Sequence, residues 1–396
     1  MARQKATRGA TQMARDMAGN GSSLASVKRA IAPATRGLRT AARHNKKYGP
    51  GTILALIALA ASSGASAGGC LELREYAEVV GSVPTGEWAR RVIQTRDADV
   101  ALRALRASAA RQLRALRRRG DIPKEIVVAP GMTAILRYGR MVPGWLVRAR
   151  PGHGSTRRER HMTAQCAANG MWITMDAVRV MPGDPVEAAF STVYGRVLAV
   201  CARAGVRPVL LMDREFFTTG VLERLGRRKT RWLMPCPNYP RVAAALREHA
   251  ARSRARVSSM RIPDGRGREA PYTMIIRRRK RREGDGPEGR YIAFASNSPS
   301  PDPDAPCPRR WGIEINYKMP RQTRMRTPGR DEHVRIFCFV VSLLVHNAWT
   351  MLHSDRRAGG DDRRIPKMTL GSLTLLEFCM EYGIQPWLRP PRKPPP

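Results

Sequence analysis

At Pro123 the hydrophobic period of this 396-residue chain changes, and that change limits the folds open to it. Before it, Leu102, Leu105, Leu113 and Leu116 recur at spacings of three and four with Ala109 between them, as on one face of a helix. Arg103, Arg106, Arg114 and Arg117 fill the neighbouring stripe, and Gly120 with Pro123 stops the pattern. After Pro123 come short β-branched runs: Ile126 to Ala129, Met171 to Val180, Pro208 to Met212 and Tyr291 to Ala295. Between the second and third, Asp184 as N-cap, Pro185 and Glu187 open a helix with Phe190, Val193, Val197, Leu198 and Cys201 on one face. A further helix is predicted from Thr219 to Arg228. Strands alternating with helices imply an α/β sheet packed on both sides, preceded by a small all-helical domain. The basic stripe of that domain is either a grip for duplex DNA or a solvated surface.

Charge narrows the partners. Lys and Arg number 71 against 32 Asp and Glu, a net charge of +39 and a pI near 11.4. Basic surface gains affinity by releasing counterions from phosphates, so nucleic acid is the first partner and an anionic membrane surface the second. A GC-rich gene would write Arg for Lys, but it would not remove acids. Residues 1–47 hold eleven Lys or Arg and one acid, Asp16, and read as a mobile arm that touches phosphates. The run RRRKRR at 277–282 is a basic turn or a solvated loop, Ser298 to Pro308 is too Pro-rich for a regular element, and RPPRKPPP closes an extended tail. Seven cysteines without a CxxC pair form neither a disulfide framework nor a zinc knuckle. The apolar runs 53–61 and 336–345 fall short of the about 20 residues a membrane span needs, and both read as buried helices. No apolar h-region heads the chain, so the expected location is the cytoplasm, on nucleoid DNA, with no membrane partner.

Two acids stand out by position. Asp213 follows PVLLM at the C-terminal end of a predicted strand, where active groups of α/β sheets collect, and a strand-end Asp also serves as a helix N-cap. Glu314 lies in RRWGIEINYK, with Trp311 and Ile315 on one helical face and Arg310 and Arg321 on nearly its own. That arrangement is an ion-pair network, or a metal ligand beside groups that hold phosphates.

The segments AQC from Ala164, LMDREFF from Leu211, LMPCPN from Leu233, FASN from Phe294, RWGIEINYK from Arg310 and the apolar helix through HNAW resemble those of DDE-type insertion-sequence transposases. They occur in that family's order from about residue 50 to about residue 355. The resemblance implies a ribonuclease-H-like mixed sheet flanked by helices, whose Asp, Asp and Glu hold two Mg²⁺ (or Mn²⁺) ions. It makes Asp213 and Glu314 catalytic metal ligands and Arg310, Lys318, Arg321 and Arg324 DNA-binding residues. It also implies metal-dependent cleavage and strand transfer on double-stranded DNA, at terminal inverted repeats and target, by a homodimer in the synaptic complex.

The expected order is a basic disordered arm (1–50), a helical DNA-binding domain (51–122) and the first part of the catalytic domain (123–226). A basic insert (227–290), the last strand and helices of the catalytic domain (291–355) and a tail (356–396) complete it. The family's Tyr, Arg, Glu and Lys signature falls on Cys307, Arg310, Glu314 and Arg321. The family's first Asp falls on Gly131, and Pro130 and Leu136 also depart from its pattern. Glycine supplies no ligand, so an impaired catalyst, or a non-enzymatic DNA-binding protein derived from a transposase, is the alternative. Asp176 is the nearest acid on a neighbouring predicted strand, yet its surroundings match the family's second strand. A basic RNA-binding protein fits the charge but neither RWGIE nor DREFF.

Overall fold

The computed structural model describes residues 23–35, 57, 58, 61, 93, 94, 98–137, 144, 146–152, 155–252, 257–263, 267–278, 291–297 and 331–358. Its helices are α1 (Ser23–Thr35), α2 (Ala98–Arg119), α3 (Val186–Ala204), α4 (Thr219–Arg228), α5 (Pro240–Arg252) and α6 (Glu332–Ala358). The chain divides into two compact units, one of Met1–Gln112 with Ile315–Pro396 and one of Leu113–Glu314.

In the first unit α1 packs against α6. Helix α1 lies inside the segment expected to be a disordered arm and corrects that expectation for residues 23–35. Val27, Ile31 and Ala34 recur at one helical face and are all buried, so a local apolar stripe overrides the basic composition around it. Helix α6 is capped by Asp331, whose Oδ1 accepts the Val334 N–H at 3.0 Å. Val340, Val341, Leu344 and Val345 are fully buried, and the buried hydroxyls of Ser342 and Thr350 return to the carbonyls of Cys338 and His346. Its stretch Glu332–Asp355 is long and apolar enough to cross a membrane, and most of it is buried within the structure, as in a core helix.

Helix α2 runs across the division between the units and ends where the sequence predicts. Gly120 takes a left-handed φ of 82°, and the Gly120 and Asp121 N–H groups close on the carbonyls of Arg117 and Leu116. Leu105, Ala109, Leu113 and Leu116 form the buried stripe.

The second unit is built on a nine-stranded mixed sheet: β1 (Glu125–Arg137), β2 (Val147–Gly152), β3 (Ser155–Ala168), β4 (Met171–Val180), β5 (Arg207–Leu211), β6 (Trp232–Pro235), β7 (Val257–Pro263), β8 (Glu269–Arg278) and β9 (Tyr291–Ser296). The order is β2-β3-β1-β5-β6-β9-β8-β7, with β4 also on β3. Strands β1, β5 and β6 run parallel, and the other pairs are antiparallel. The segment 227–290, expected as an insert, is integral to this sheet: the buried WLMP of β6 sits beside β5, and β7 and β8 extend the edge beyond β9. In β8, Ala270, Tyr272, Met274 and Ile276 supply the inward-facing alternation.

Helix α3 packs on β3, β4 and β5. Phe190, Val193, Tyr194 and Val197 meet Val128, Pro130, Ala164 and Leu210, and Phe190 stacks on Tyr194 with ring centroids 5.3 Å apart. Its N-cap is Pro185; Asp184, expected in that role, instead accepts the Met181 N–H at 2.8 Å and closes the preceding turn. Gly205, at φ 73°, ends the helix, and Arg114 of α2 donates to the last-turn carbonyl of Arg203. Helix α4 spans the predicted residues and is capped by the Thr218 hydroxyl. Gly220 allows its approach to α3, since a Cβ there would come 2.8 Å from Glu187 Cγ.

Candidate functional site

Strand β5 delivers Asp213 two residues beyond its end. Leu210, Leu211 and Met212 are buried, and the Met212 N–H still reaches the Leu233 carbonyl, so the chain remains extended up to Asp213. There Asp213 caps a short 3-10 turn, Arg214–Phe216, its Oδ1 accepting the Arg214 N–H at 2.6 Å. The capping role that position alone allowed is therefore realised. Two aromatic anchors hold the turn: Phe216 packs on Phe190 of α3 at 5.9 Å, and Phe217 meets Tyr272 of β8 edge-on at 5.1 Å. With both phenylalanines buried, the turn leaves Asp213, Arg214 and Glu215 exposed.

Beside this turn runs β1. The parallel register pairs Val128 with Leu210, and 213 − 131 equals 210 − 128, so continuing it places Asp213 alongside Gly131. On its other side Gly131 pairs with Thr163 of β3. Side chains of paired residues share a face, so Thr163 stands on the face where a side chain at position 131 would lie. Thr163 is 1% exposed and its Oγ1 has no hydrogen-bond partner. A buried hydroxyl left in this state is unfavourable unless something else satisfies it.

Glu215 completes the surroundings. Its carboxylate lies within electrostatic reach of Asp213 and Arg160. Desolvation of the carboxyl and the Asp213 charge raise its pKa, and Arg160 and the Met132 N–H offset this only in part. Two acids thus lie in the turn that follows β5, and β1 separates them from the orphan Thr163 hydroxyl on β3. Among the described residues no group of three or more His, Cys, Asp or Glu converges as for a metal ion. The oxygen donors present fit a hard divalent cation such as Mg²⁺ or Mn²⁺, not a soft one.

Of the expected site residues, Asp213 lies at the strand end as read from sequence. Glu314, Arg310, Lys318, Arg321, Arg324 and Cys307 lie outside the described residues. Leu136 belongs to β1. Asp176 does not join Asp213: it pairs with Ala164, is fully buried towards α3, and its Oδ2 lies 3.8 Å from Arg196 Nη1. Sequence reasoning passed over Glu215 and Thr163. The signal for Glu215 was its place two residues after Asp213, ahead of two apolar anchors, whereas Thr163 becomes visible only through the β1/β3 register.

Neither a protein-family model nor a curated protein sequence matches the chain. Among solved structures, the fold is similar to that of the piggyBac transposase in a cryo-EM structure of its synaptic complex with hairpin DNA. The TM-score is 0.50 at 11% sequence identity, over 85% of this chain and 72% of that one. The chain has a transposase-like fold.

Proposed function

We propose that this protein descends from DDE-type insertion-sequence transposases, with a ribonuclease-H-like sheet, and acts on DNA by metal-dependent cleavage and strand transfer at transposon ends. The observation that carries this reading is Asp213, presented just past the C-terminal end of β5, where the parallel β1/β5 register continues towards Gly131, in a fold similar to that of a transposase solved with DNA. The central order β4-β3-β1-β5-β6, antiparallel on one side of β1 and parallel on the other, supports the ribonuclease-H-like assignment. In this reading Asp213 and Glu314 hold Mg²⁺ or Mn²⁺, while Arg310, Lys318, Arg321 and Arg324 hold DNA phosphates. The bound ions supply activation of a water or 3′-hydroxyl and stabilisation of the leaving oxygen. The chain itself holds Asp213 in place through Phe216 and Phe217, and its charge of +39 draws the polyanion to the site. A homodimer on two transposon ends, working on nucleoid DNA in the cytoplasm, completes the proposal.

Gly131 favours a second reading for this copy, that of a DNA-binding protein whose catalysis is impaired. A strand-transfer assay with Mg²⁺ separates the two. Weak or absent transfer by the natural chain with rescue by Gly131→Asp supports an impaired transposase, and full activity of the natural chain removes the impairment. Binding to duplex DNA without transfer in either form leaves only the non-enzymatic protein.

A further inference from the structure

We propose that the end of the sheet opposite Asp213 is a second surface for duplex DNA, one that holds phosphates and takes no part in the chemistry. This rests on the reading of the chain as a DNA-acting protein, and concerns an end of the fold to which that reading gives no role.

The topology assembles the surface. Strands β1, β5 and β6 run parallel, and α2, α3 and α4 each lead into one of them, so three helix C-termini and three strand starts gather at one edge. Arg114 of α2 donates to the Arg203 carbonyl of α3 at 3.0 Å, and the Arg207 N–H reaches the Lys124 carbonyl at 2.7 Å. Arg231, just before β6, pairs with Glu125 of β1. Residues 114–125, 203–207 and 227–231 carry eleven Lys or Arg, all exposed, against two acids. Both acids are already engaged, Asp121 with Arg119 at 2.7 Å and Glu125 with Arg231. Like charges gathered on one edge repel each other, and a polyanion relieves that repulsion while releasing its own counterions.

The ordinary reason for a cation at a helix C-terminus is the helix dipole, which accounts for Arg203 and for the last turns of α2 and α4. It does not account for Lys124 and Arg207, which stand at the starts of strands and make no ion pair among the described residues. Arg207 and Asp213 lie at opposite ends of β5 and its extension, about 20 Å apart along extended chain, so a phosphate held at one is out of reach of the other. A lipid surface or a single strand would call for exposed apolar or aromatic side chains to insert or stack. Among the described residues the one large apolar side chain exposed is Tyr239, and it packs on Phe217 beside the Asp213 turn, at the other end.

The test is binding of the full chain to a labelled duplex of arbitrary sequence, titrated at several salt concentrations. Lys124→Gln with Arg207→Gln should melt as the natural chain does, bind the duplex severalfold more weakly at low salt, and lower the slope of log affinity against log salt by about two, one phosphate contact for each cation. Slope and affinity unchanged in this double variant would overturn the proposal and leave the DNA-acting reading standing, whereas no duplex binding by the natural chain would overturn both. A loss seen on phosphatidylserine vesicles and not on the duplex would assign the edge to a membrane surface and overturn the proposal. Should the double variant fail to melt cooperatively, acetylation of the natural chain decides: bound duplex should protect Lys124 and the exposed Lys229, and equal labelling of both with and without duplex would overturn the proposal.

Discussion

The two faces of the strands around Gly131 are built on opposite principles. Towards α3, Val128, Pro130, Ala164 and Leu210 meet Phe190, Val193, Tyr194 and Val197 in an apolar contact. The alternate residues of β3, which are Glu159, His161, Thr163 and Gln165, are buried just as deeply and are all polar. Thr174, paired with Gln165, continues that row onto β4. Glu159 and His161 lie 3.6 Å apart, and burial lowers the pKa of Arg179, the β4 partner of His161. Burying apolar surface favours folding, whereas burying polar groups is at best compensated by their partners. The α3 face therefore specifies and holds the fold, and the polar face gives up stability that a purely structural sheet would keep. Gly131 and the orphan Thr163 hydroxyl stand on the polar side, which is why the candidate chemistry belongs there.

The sharpest way to break this comparison is to make one deletion on each face. Phe190 is 1% exposed and packs on both Tyr194 and Phe216, so Phe190→Ala should lose about 3–5 kcal/mol of unfolding free energy in urea titrations. A loss below about 1 kcal/mol would show that the α3 face can collapse around the cavity and does not hold the fold. On the other face, Thr163→Val removes a hydroxyl that has no partner and keeps nearly the same shape. It should raise unfolding free energy by about 1 kcal/mol, the penalty of an unsatisfied buried group. If instead the variant is less stable, the hydroxyl is satisfied in solution and the polar face is not sacrificing stability at this point.

The sequence made the α3 side legible and left the polar side almost opaque, for one physical reason. A helical stripe such as Phe190, Val193, Val197 and Cys201 announces itself within one turn, and all four residues are buried. The limits of α4 were equally local, set by Thr218 and the basic last turn. Strand β3, STRRERHMTAQCAA, alternates Met162, Ala164 and Cys166 with the polar His161, Thr163 and Gln165, a pattern that reads as a half-exposed strand and gives no sign that its polar face is buried. Strands β7 and β8 were hidden by their charged flanks, and the helix α1 by the basic residues around Val27 and Ile31. Asp213 could be placed from the apolar run before it, and Gly131 from the family's motif order. That Thr163 lies beside Gly131 depends on the pairing of β1 with β3, which no local pattern encodes.

The smallest expected effect concerns Glu215 and sharpens the comparison at the edge of the polar face. Its folded-state pKa is raised by desolvation and by Asp213, so the folded protein binds the Glu215 proton more tightly than the unfolded chain does. Stability then falls as pH rises from the ordinary glutamate range, near 4.5, through the raised folded value, because folding must hold a charge that the unfolded chain releases into water. Glu215→Gln removes this dependence at nearly the same side-chain size. In chelator, the melting temperature of the variant minus that of the natural chain should therefore be smallest below the ordinary glutamate range, grow across the window, and level off above the raised value. Because the residue is exposed, solvent screens much of the penalty and the difference will be modest. A difference independent of pH in chelator would mean that the Glu215 carboxyl is no less solvated than in the unfolded chain, and that the edge of the polar face begins further inside the sheet.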